Sequence, residues 1–351
     1  MPRLPYARAR TKRYAPTNWK KATFWLLVLF VVSTVTVVNK SGVEYPRVNI
    51  LHWMQNQDED KTQDDDHFVQ FQQDFSGNMS WEQVQETRVH HMMRACTSLN
   101  LNQTLDYVVL KHILVDTRHK ALMCFVPKVA CTSWKRVWFW LAGLLDEDDD
   151  IMALTRAQVH GPFLPNLAST MFPDARREEM LKTYKKFLFT RHPLDRLISA
   201  YRDKLENYDD ESNFNFHKHV GQEVERMERG KVTGSGHNVT FPEFVRWVTP
   251  PNGTWTVAQK NEHWRPMVEL CAPCAVQYNA VGRYENLQQE MNASLHWLKA
   301  GVFADRFPSS DRPFHAAELR QEYLQRLTSE DKLRFLRTYL LDFLLFGYDM
   351  P

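Results

Sequence analysis

No G-x-x-x-x-G-K-[ST] stretch occurs in the 351 residues, which hold only 12 glycines, so an ordinary nucleoside-triphosphatase or kinase phosphate loop is not supported. There is no second Cys-x-x-Cys to complete Cys271-x-x-Cys274. Half a zinc site is therefore the weaker reading and a structural disulfide role the better one. The five cysteines, Cys96, Cys124, Cys131, Cys271 and Cys274, are an odd number, so in an oxidising compartment at least one thiol stays free unless it pairs between chains. Internal repeats and a second long linker are also missing, which argues for one folded domain. Positive charge is scarce in the body. Arg3, Arg8, Arg10, Lys12, Arg13, Lys20 and Lys21 precede residue 22 with no acid among them, and the remainder carries 37 basic residues against 42 acidic ones. A mildly acidic body lacks the basic patch that nucleic-acid binding needs, so no nucleic-acid partner is expected. With 43% hydrophobic and 13% aromatic residues there is ample material for a core, and global disorder is excluded.

One long apolar run is present. Residues 22–38 are uncharged, and as a helix they would span about 26 Å, enough for a thin secretory-pathway bilayer. The basic flank should stay cytoplasmic, giving a tail over 1–21, a signal-anchor over 22–38 and a type II, lumenal body. A cleaved signal peptide is the rival, but the leading segment is long and no small-x-small cleavage site follows. Six Asn-x-Ser/Thr triplets, at Asn39, Asn78, Asn102, Asn238, Asn252 and Asn292, exceed the roughly two expected by chance and favour a glycosylated lumenal body. Residues 39–84, rich in Gln and Asp with few aliphatic side chains, read as a solvated stem. The folded domain is then 85–351.

Two short apolar runs, 121–126 and 186–189, each lead into a polar loop and then a helical pattern. A third candidate strand covers 275–281. Leu333, Leu336, Leu340, Phe343 and Leu344 mark one face of a C-terminal helix. Strands separated by helices predict an α/β fold with a central parallel sheet and ligands at the carboxyl ends of its strands.

The first run enters Pro127, Lys128, Val129, Ala130, Cys131, Thr132 and Ser133. A loop of this form aims backbone N–H groups and a helix dipole at one spot, which binds phosphate, and Lys128 adds a mobile charge. Alone, the pattern equally fits a surface turn with a helix cap. The second run enters Arg191, His192, Pro193, Leu194, Asp195, Arg196, Leu197, Ile198 and Ser199. Pro193 suits a first helical turn, which puts Arg191 at the strand's end as a planar phosphate fork and Ser199 two turns along as a further donor. An ordinary charged helix face is the bland alternative.

Together these segments resemble the 5′-phosphosulfate loop and the 3′-phosphate motif of Golgi carbohydrate sulfotransferases, and within them the chondroitin 4-, dermatan 4-, GalNAc 4- and HNK-1 sulfotransferase group, closest to chondroitin 4-sulfotransferase. Matching segments lie at 113–119, 261–264, 271–274, 281–285 and 341–346, so the resemblance covers about residues 90 to 350. It implies a P-loop-like α/β fold that holds 3′-phosphoadenylyl sulfate, with residues 127–133 at the 5′-phosphosulfate, residues 191–199 at the 3′-phosphate, and no metal. It further implies a glycosaminoglycan or glycoprotein glycan acceptor, with the 4-hydroxyl of GalNAc in chondroitin or dermatan expected and an HNK-1-type glucuronyl 3-hydroxyl as the alternative. The Golgi membrane would be entered through one helix; a homo-oligomer is left open. The sequence departs from the chondroitin 4-sulfotransferase pattern at Ser133, where Asn is common, and at His192, where Glu is common.

In-line sulfuryl transfer needs charge stabilisation on the leaving oxygen, assigned to Lys128 and the loop N–H groups, and a base for the sugar hydroxyl. His263 is the first candidate because neutral imidazole suits that task; Glu262 and His160 are alternatives, and a structural His263 packed by Trp264 remains open. A non-catalytic type II glycoprotein would leave both loops unexplained. The Asp-rich runs Asp58-Glu59-Asp60 and Asp64-Asp65-Asp66 fall in the stem, which weakens a metal-dependent glycosyltransferase reading.

Overall fold

The computed structural model describes residues 79–206, 213–232, 234–251, 253–308 and 316–351. The expected tail, anchor and most of the expected stem lie outside them. No described helix is long and apolar enough to cross a membrane.

The sheet has four strands in the order β1 (Ile113–Asp116), β2 (Ala121–Cys124), β3 (Lys185–Thr190) and β4 (Ala280–Arg283). β2, β3 and β4 run parallel, as the strand-loop-helix pattern predicts, whereas β1 pairs antiparallel with β2 through a tight hairpin. The central parallel sheet is thus present, with β1 added antiparallel at its edge, since a four-residue turn is too short for a crossover. All four residues of β1, β2 and β4 are buried, as expected of strands covered on both faces.

Around the sheet lie α1 (Trp81–Ser98), α2 (Cys131–Leu141), α3 (Pro193–Tyr201), α4 (Gln222–Arg229), α5 (Phe241–Val248), α6 (Met267–Cys271), α7 (Leu287–Trp297), α8 (Ala316–Gln325) and α9 (Ser329–Phe346). α1 starts at a Ser80 capping box with Gln83, and α9 starts at a Thr328–Asp331 box and ends at left-handed Gly347; both ends follow ordinary capping chemistry. One core cluster packs the sheet against α1, α2 and α7, with Trp134 wedged against Phe187, Phe189 and Phe307. A second joins α3, α4, α5, α8 and α9.

The third expected strand is displaced. Residues 273–276 form a helical turn begun by Pro273, Gln277 is left-handed, and the strand starts at Ala280. The cause is covalent as well as local: Cys96–Cys274 and Cys124–Cys271 pin this bend to α1 and to the end of β2. Cys131 is free. Gly282 is required where β4 meets β3, since a Cβ there would lie 2.6 Å from the Phe189 ring.

Candidate active site

The carboxyl ends of β2 and β3 open side by side, because the two strands pair in register from Ala121–Lys185 to Cys124–Leu188. The loop leaving β2 contains two left-handed non-glycine residues, Lys128 at φ 71° and Ala130 at φ 52°, a conformation that is costly for L-residues. Ala130 is the N-cap of α2 and supplies no capping side chain, so the first N–H groups of that helix are left for another acceptor. Alternation of left-handed and ordinary backbone also turns successive N–H groups toward one concavity, a fit for an anionic group. Within the loop Pro127 and Val129 are buried, whereas Lys128, Ala130, Cys131, Thr132 and Ser133 keep some exposure.

The helix leaving β3 divides its nine candidate residues sharply. Leu194, Leu197 and Ile198 are core residues, and Pro193 is buried in the first turn. Asp195 is buried against Arg320 of α8 in a two-pronged pair at 2.7 and 2.6 Å. Buried His192 offers its ring Nε2 to the Asp349 carbonyl at 3.1 Å and its backbone N–H to Glu285; burial and then Arg320 push the ring down to about 4, so it is neutral at pH 7. Ser199 is the one partly exposed residue of the ten from 191 to 200.

Arg191 and Arg196 act on the loop. Arg191 donates to the Lys128 carbonyl at 2.9 Å and sits over the Tyr284 ring. Fully buried Arg196 donates to the Pro127 carbonyl at 3.0 Å, to that of Arg265 at 2.7 Å and to that of Glu262 at 2.9 Å. A side chain expected to face the donor thus ties the β2 loop to the segment 261–265. The fork geometry explains the placement, since one guanidinium can satisfy several carbonyls in fixed directions.

Segment 261–265 is also anchored from α9. Asp342 accepts the N–H groups of Met267 and Val268, both at 2.9 Å, and Tyr339 donates to the Trp264 carbonyl. Burial pushes Asp342 up to about 6 despite those bonds. On this base His263 is oriented by Asn261, whose Oδ1 accepts both the His263 backbone N–H at 3.0 Å and Nδ1 at 2.7 Å. An amide oxygen only accepts, so Nδ1 carries the hydrogen and Nε2 keeps its lone pair. Burial, followed by the Lys204 and Lys128 charges, pushes His263 down to about 3. The Phe216 ring lies edge-on to it at 5.4 Å.

Lys128 Nζ pairs with Asp203 at 3.0 Å, and Lys204 meets the same carboxylate oxygen at 3.1 Å. Burial alone would raise Asp203, but the two lysines outweigh it and hold the acid at about 2. Asp203 and Lys204 lie in Arg202–Glu206, where α3 widens into π-type turns, a distortion that favours functional sites. Neither residue was singled out in the sequence, and no local pattern marks them. Thr132 bonds His160 Nε2 at 3.1 Å. Although His160 is exposed overall, partial desolvation and the Lys135 and Arg156 charges lower it to about 4. Glu262 and Lys204 act electrostatically on both His160 and His263, and Lys128 on His263, so the three base candidates and both lysines lie in one neighbourhood.

An acidic run inside the fold, residues 146–150, follows α2. Its carboxylates cap local turns at Asp146 and Met152, and no group of three or more His, Cys, Asp or Glu side chains among the described residues converges to hold a metal.

The model of the Sulfotransferase family matches residues 111–349, from the end of the helix before β1 to the C-terminal tail. The chain is 35% identical over 253 residues to carbohydrate sulfotransferase 11 of Rattus norvegicus, covering 69% of this chain and 68% of that one. It is 38% identical over 250 residues to carbohydrate sulfotransferase 14 of Homo sapiens, covering 69% and 61%. Carbohydrate sulfotransferase 8 of Mus musculus is 33% identical over 292 residues, covering 78% and 66%. No solved structure matches the chain. An uncapped, left-handed loop beside two lysines and a lone-pair-bearing histidine, on a sequence matched over most of its length, fits a sulfate-transferring enzyme, and the chain belongs to the Sulfotransferase family.

Proposed function

We propose that the enzyme transfers the sulfuryl group of 3′-phosphoadenylyl sulfate to a hydroxyl of a glycan, the 4-hydroxyl of GalNAc in a chondroitin- or dermatan-type chain. Membership of the family implies this donor, and the observation that carries the reading is the uncapped, doubly left-handed Lys128-Val-Ala130 loop beside Lys204. The donor supplies a sulfuryl group on a phosphate leaving group. Residues 127–133 would hold its 5′-phosphosulfate, and Arg191 with Ser199 its 3′-phosphate. Lys128 and the N–H groups opening α2 stabilise negative charge on the leaving oxygen, the largest contribution such a site makes. His263 Nε2 takes the proton of the sugar hydroxyl, with Asn261 fixing the tautomer that makes this feasible.

The GalNAc acceptor is supported by the likeness to the chondroitin 4-sulfotransferase group, and an HNK-1-type glucuronyl acceptor is the competitor. Two disulfides joining segments 147 and 178 residues apart suit an oxidising lumen, in line with a type II Golgi enzyme anchored through residues 22–38. Labelled donor offered with desulfated chondroitin, dermatan, heparosan and glucuronyl-lactosamine tests the acceptor. Incorporation should be greatest on the first two, at the GalNAc 4-position; incorporation on the glucuronyl acceptor alone would replace the assignment.

A further inference from the structure

Glu262 has no task in the chemistry above, yet it is held in place by a buried histidine outside both donor segments. His112 ends the helix Tyr107–His112 and is 3% exposed. Its Nδ1 lies 2.7 Å from the Val108 carbonyl oxygen, which can only accept, so Nδ1 carries a hydrogen. Its Nε2 lies 3.0 Å from Glu262 Oε2, a contact that requires a proton between ring and carboxylate. Burial would raise Glu262, but the bond and charge of His112, helped by His263 and Lys135, outweigh it and hold the acid at about 2. The geometry thus places one hydrogen on Nδ1 and another between Nε2 and the carboxylate.

The ring cannot swing away. It stacks on Phe125 at 4.8 Å between centroids, and the His112 carbonyl accepts the Phe125 N–H at 2.9 Å. The Glu262 backbone is equally fixed by Arg196. By contrast the Glu262 side chain keeps 38% of its exposure, and among the described residues its Oε1 accepts no hydrogen bond. Here one oxygen is pinned by His112, while the side chain stays partly exposed one residue away from His263.

We infer that Glu262 is an acceptor-anchoring carboxylate, whose Oε1 accepts a hydrogen bond from a sugar hydroxyl neighbouring the reacting one, and that buried His112 is the residue that positions it. This rests on the sulfuryl transfer to a sugar proposed above. Sugar hydroxyls are donors that a carboxylate binds strongly, and a carboxylate already held on one side loses little rotamer freedom when the sugar arrives. His112 touches neither donor nor acceptor.

The test uses the full chain, desulfated chondroitin as acceptor and adenosine 3′,5′-bisphosphate as the donor-site probe. In His112→Asn the amide nitrogen replaces Nδ1 and keeps the Val108 bond; in His112→Gln it replaces Nε2 and keeps the Glu262 bond. Glu262→Gln and His112→Asn should each raise the acceptor KM roughly ten- to hundredfold, the loss of one charge-assisted contact, with bisphosphate affinity unchanged. His112→Gln should stay within a few-fold of the parent, and combining His112→Asn with Glu262→Gln should add nothing to Glu262→Gln alone. An unchanged acceptor KM in Glu262→Gln would overturn the inference. So would a hundredfold fall in kcat at constant KM, which would make Glu262 the base, or equal damage from Asn and Gln at position 112. Nitrogen-15 spectra of the histidine rings in the unsubstituted protein test the dyad without turnover or substitution: His112 Nδ1 should carry a hydrogen, and a bare Nδ1 would overturn it. A parent that binds no bisphosphate and sulfates no acceptor would instead defeat the transfer reading, with the spectra still deciding the dyad.

Discussion

Lys128 is held by Asp203 in the free protein, and the same lysine, with Lys204, depresses His263. An anionic donor in the β2 loop offsets both effects, so the two pH profiles should separate. In the free enzyme His263 stays unprotonated down to about 3, so kcat/KM should remain level from pH 7 to about 4 and fall only below that, as the ring gains its proton. The acid limb of kcat should lie at higher pH, because donor charge makes the imidazole more basic in the complex. An acid limb of kcat/KM near 6.5 would contradict this. His263→Ala should cut turnover by roughly 10²- to 10⁴-fold at little cost in melting temperature, whereas a packing histidine would lose both together. Arg191→Ala and Ser199→Ala should weaken adenosine 3′,5′-bisphosphate by about 1.5–3 kcal/mol, ten- to hundredfold, measured by calorimetry; full affinity in both would remove residues 191–199 from the 3′-phosphate. At this scale the sequence marked residue types in loops, Lys128 and His263 among them, and the fold sets both close to Asp203 and Lys204. The sequence was silent where the partner is distant: His112 stands 150 residues from Glu262, and nothing near it in the sequence distinguishes it from a core histidine. Arg196 looked like its neighbour Arg191 and turned inward because carbonyls on two loops needed a donor.

At the scale of elements, β2 and β3 were readable as apolar runs feeding helices, and α9 from its periodic leucines and phenylalanines. β1 was not, because four buried residues carry no period. The strand expected at 275–281 failed for a covalent reason, since the Cys274 crosslink and Pro273 coil its first half. The spacing of Cys271 and Cys274 suggested oxidation but left open whether they pair with each other or with Cys96 and Cys124; only the packing of α1 and β2 against that bend resolves it. Peptide mapping without reductant should recover Cys96–Cys274 and Cys124–Cys271, with Cys131 alone alkylated. Each bridge closes a loop of well over a hundred residues, so opening one by paired Cys→Ala substitution should cost about 2–5 kcal/mol, read as a lower denaturation midpoint. Removal of either bridge with no loss of stability would show that packing alone sets the bend.

Across the whole molecule, acid sensitivity follows from groups that folding discharges. His192 and His263 are held at about 4 and about 3, against about 6.5 in the unfolded chain, so below pH 6.5 the unfolded state binds protons that the native state refuses. Their contribution to stability is present above that pH and is lost as the medium is acidified. Asp342, raised to about 6, opposes them between about 6 and 4, but it is one group against three, because His160 is also held at about 4. The melting temperature should therefore fall on going from pH 7 to pH 5, by scanning calorimetry; a rise would mean that Asp342 dominates. The native state is thus more stable at pH 7 than at pH 5, and at pH 7 His263 is neutral beside the Lys128 loop. The most direct measurement of that coexistence is the transfer of labelled sulfate from 3′-phosphoadenylyl sulfate to desulfated chondroitin at pH 7 by the parent and by Lys128→Ala at equal folded concentration. The parent should incorporate label and Lys128→Ala should lose a hundredfold or more, the scale set by removing one transition-state donor; incorporation within a few-fold of the parent would contradict the assignment of the β2 loop to sulfuryl transfer.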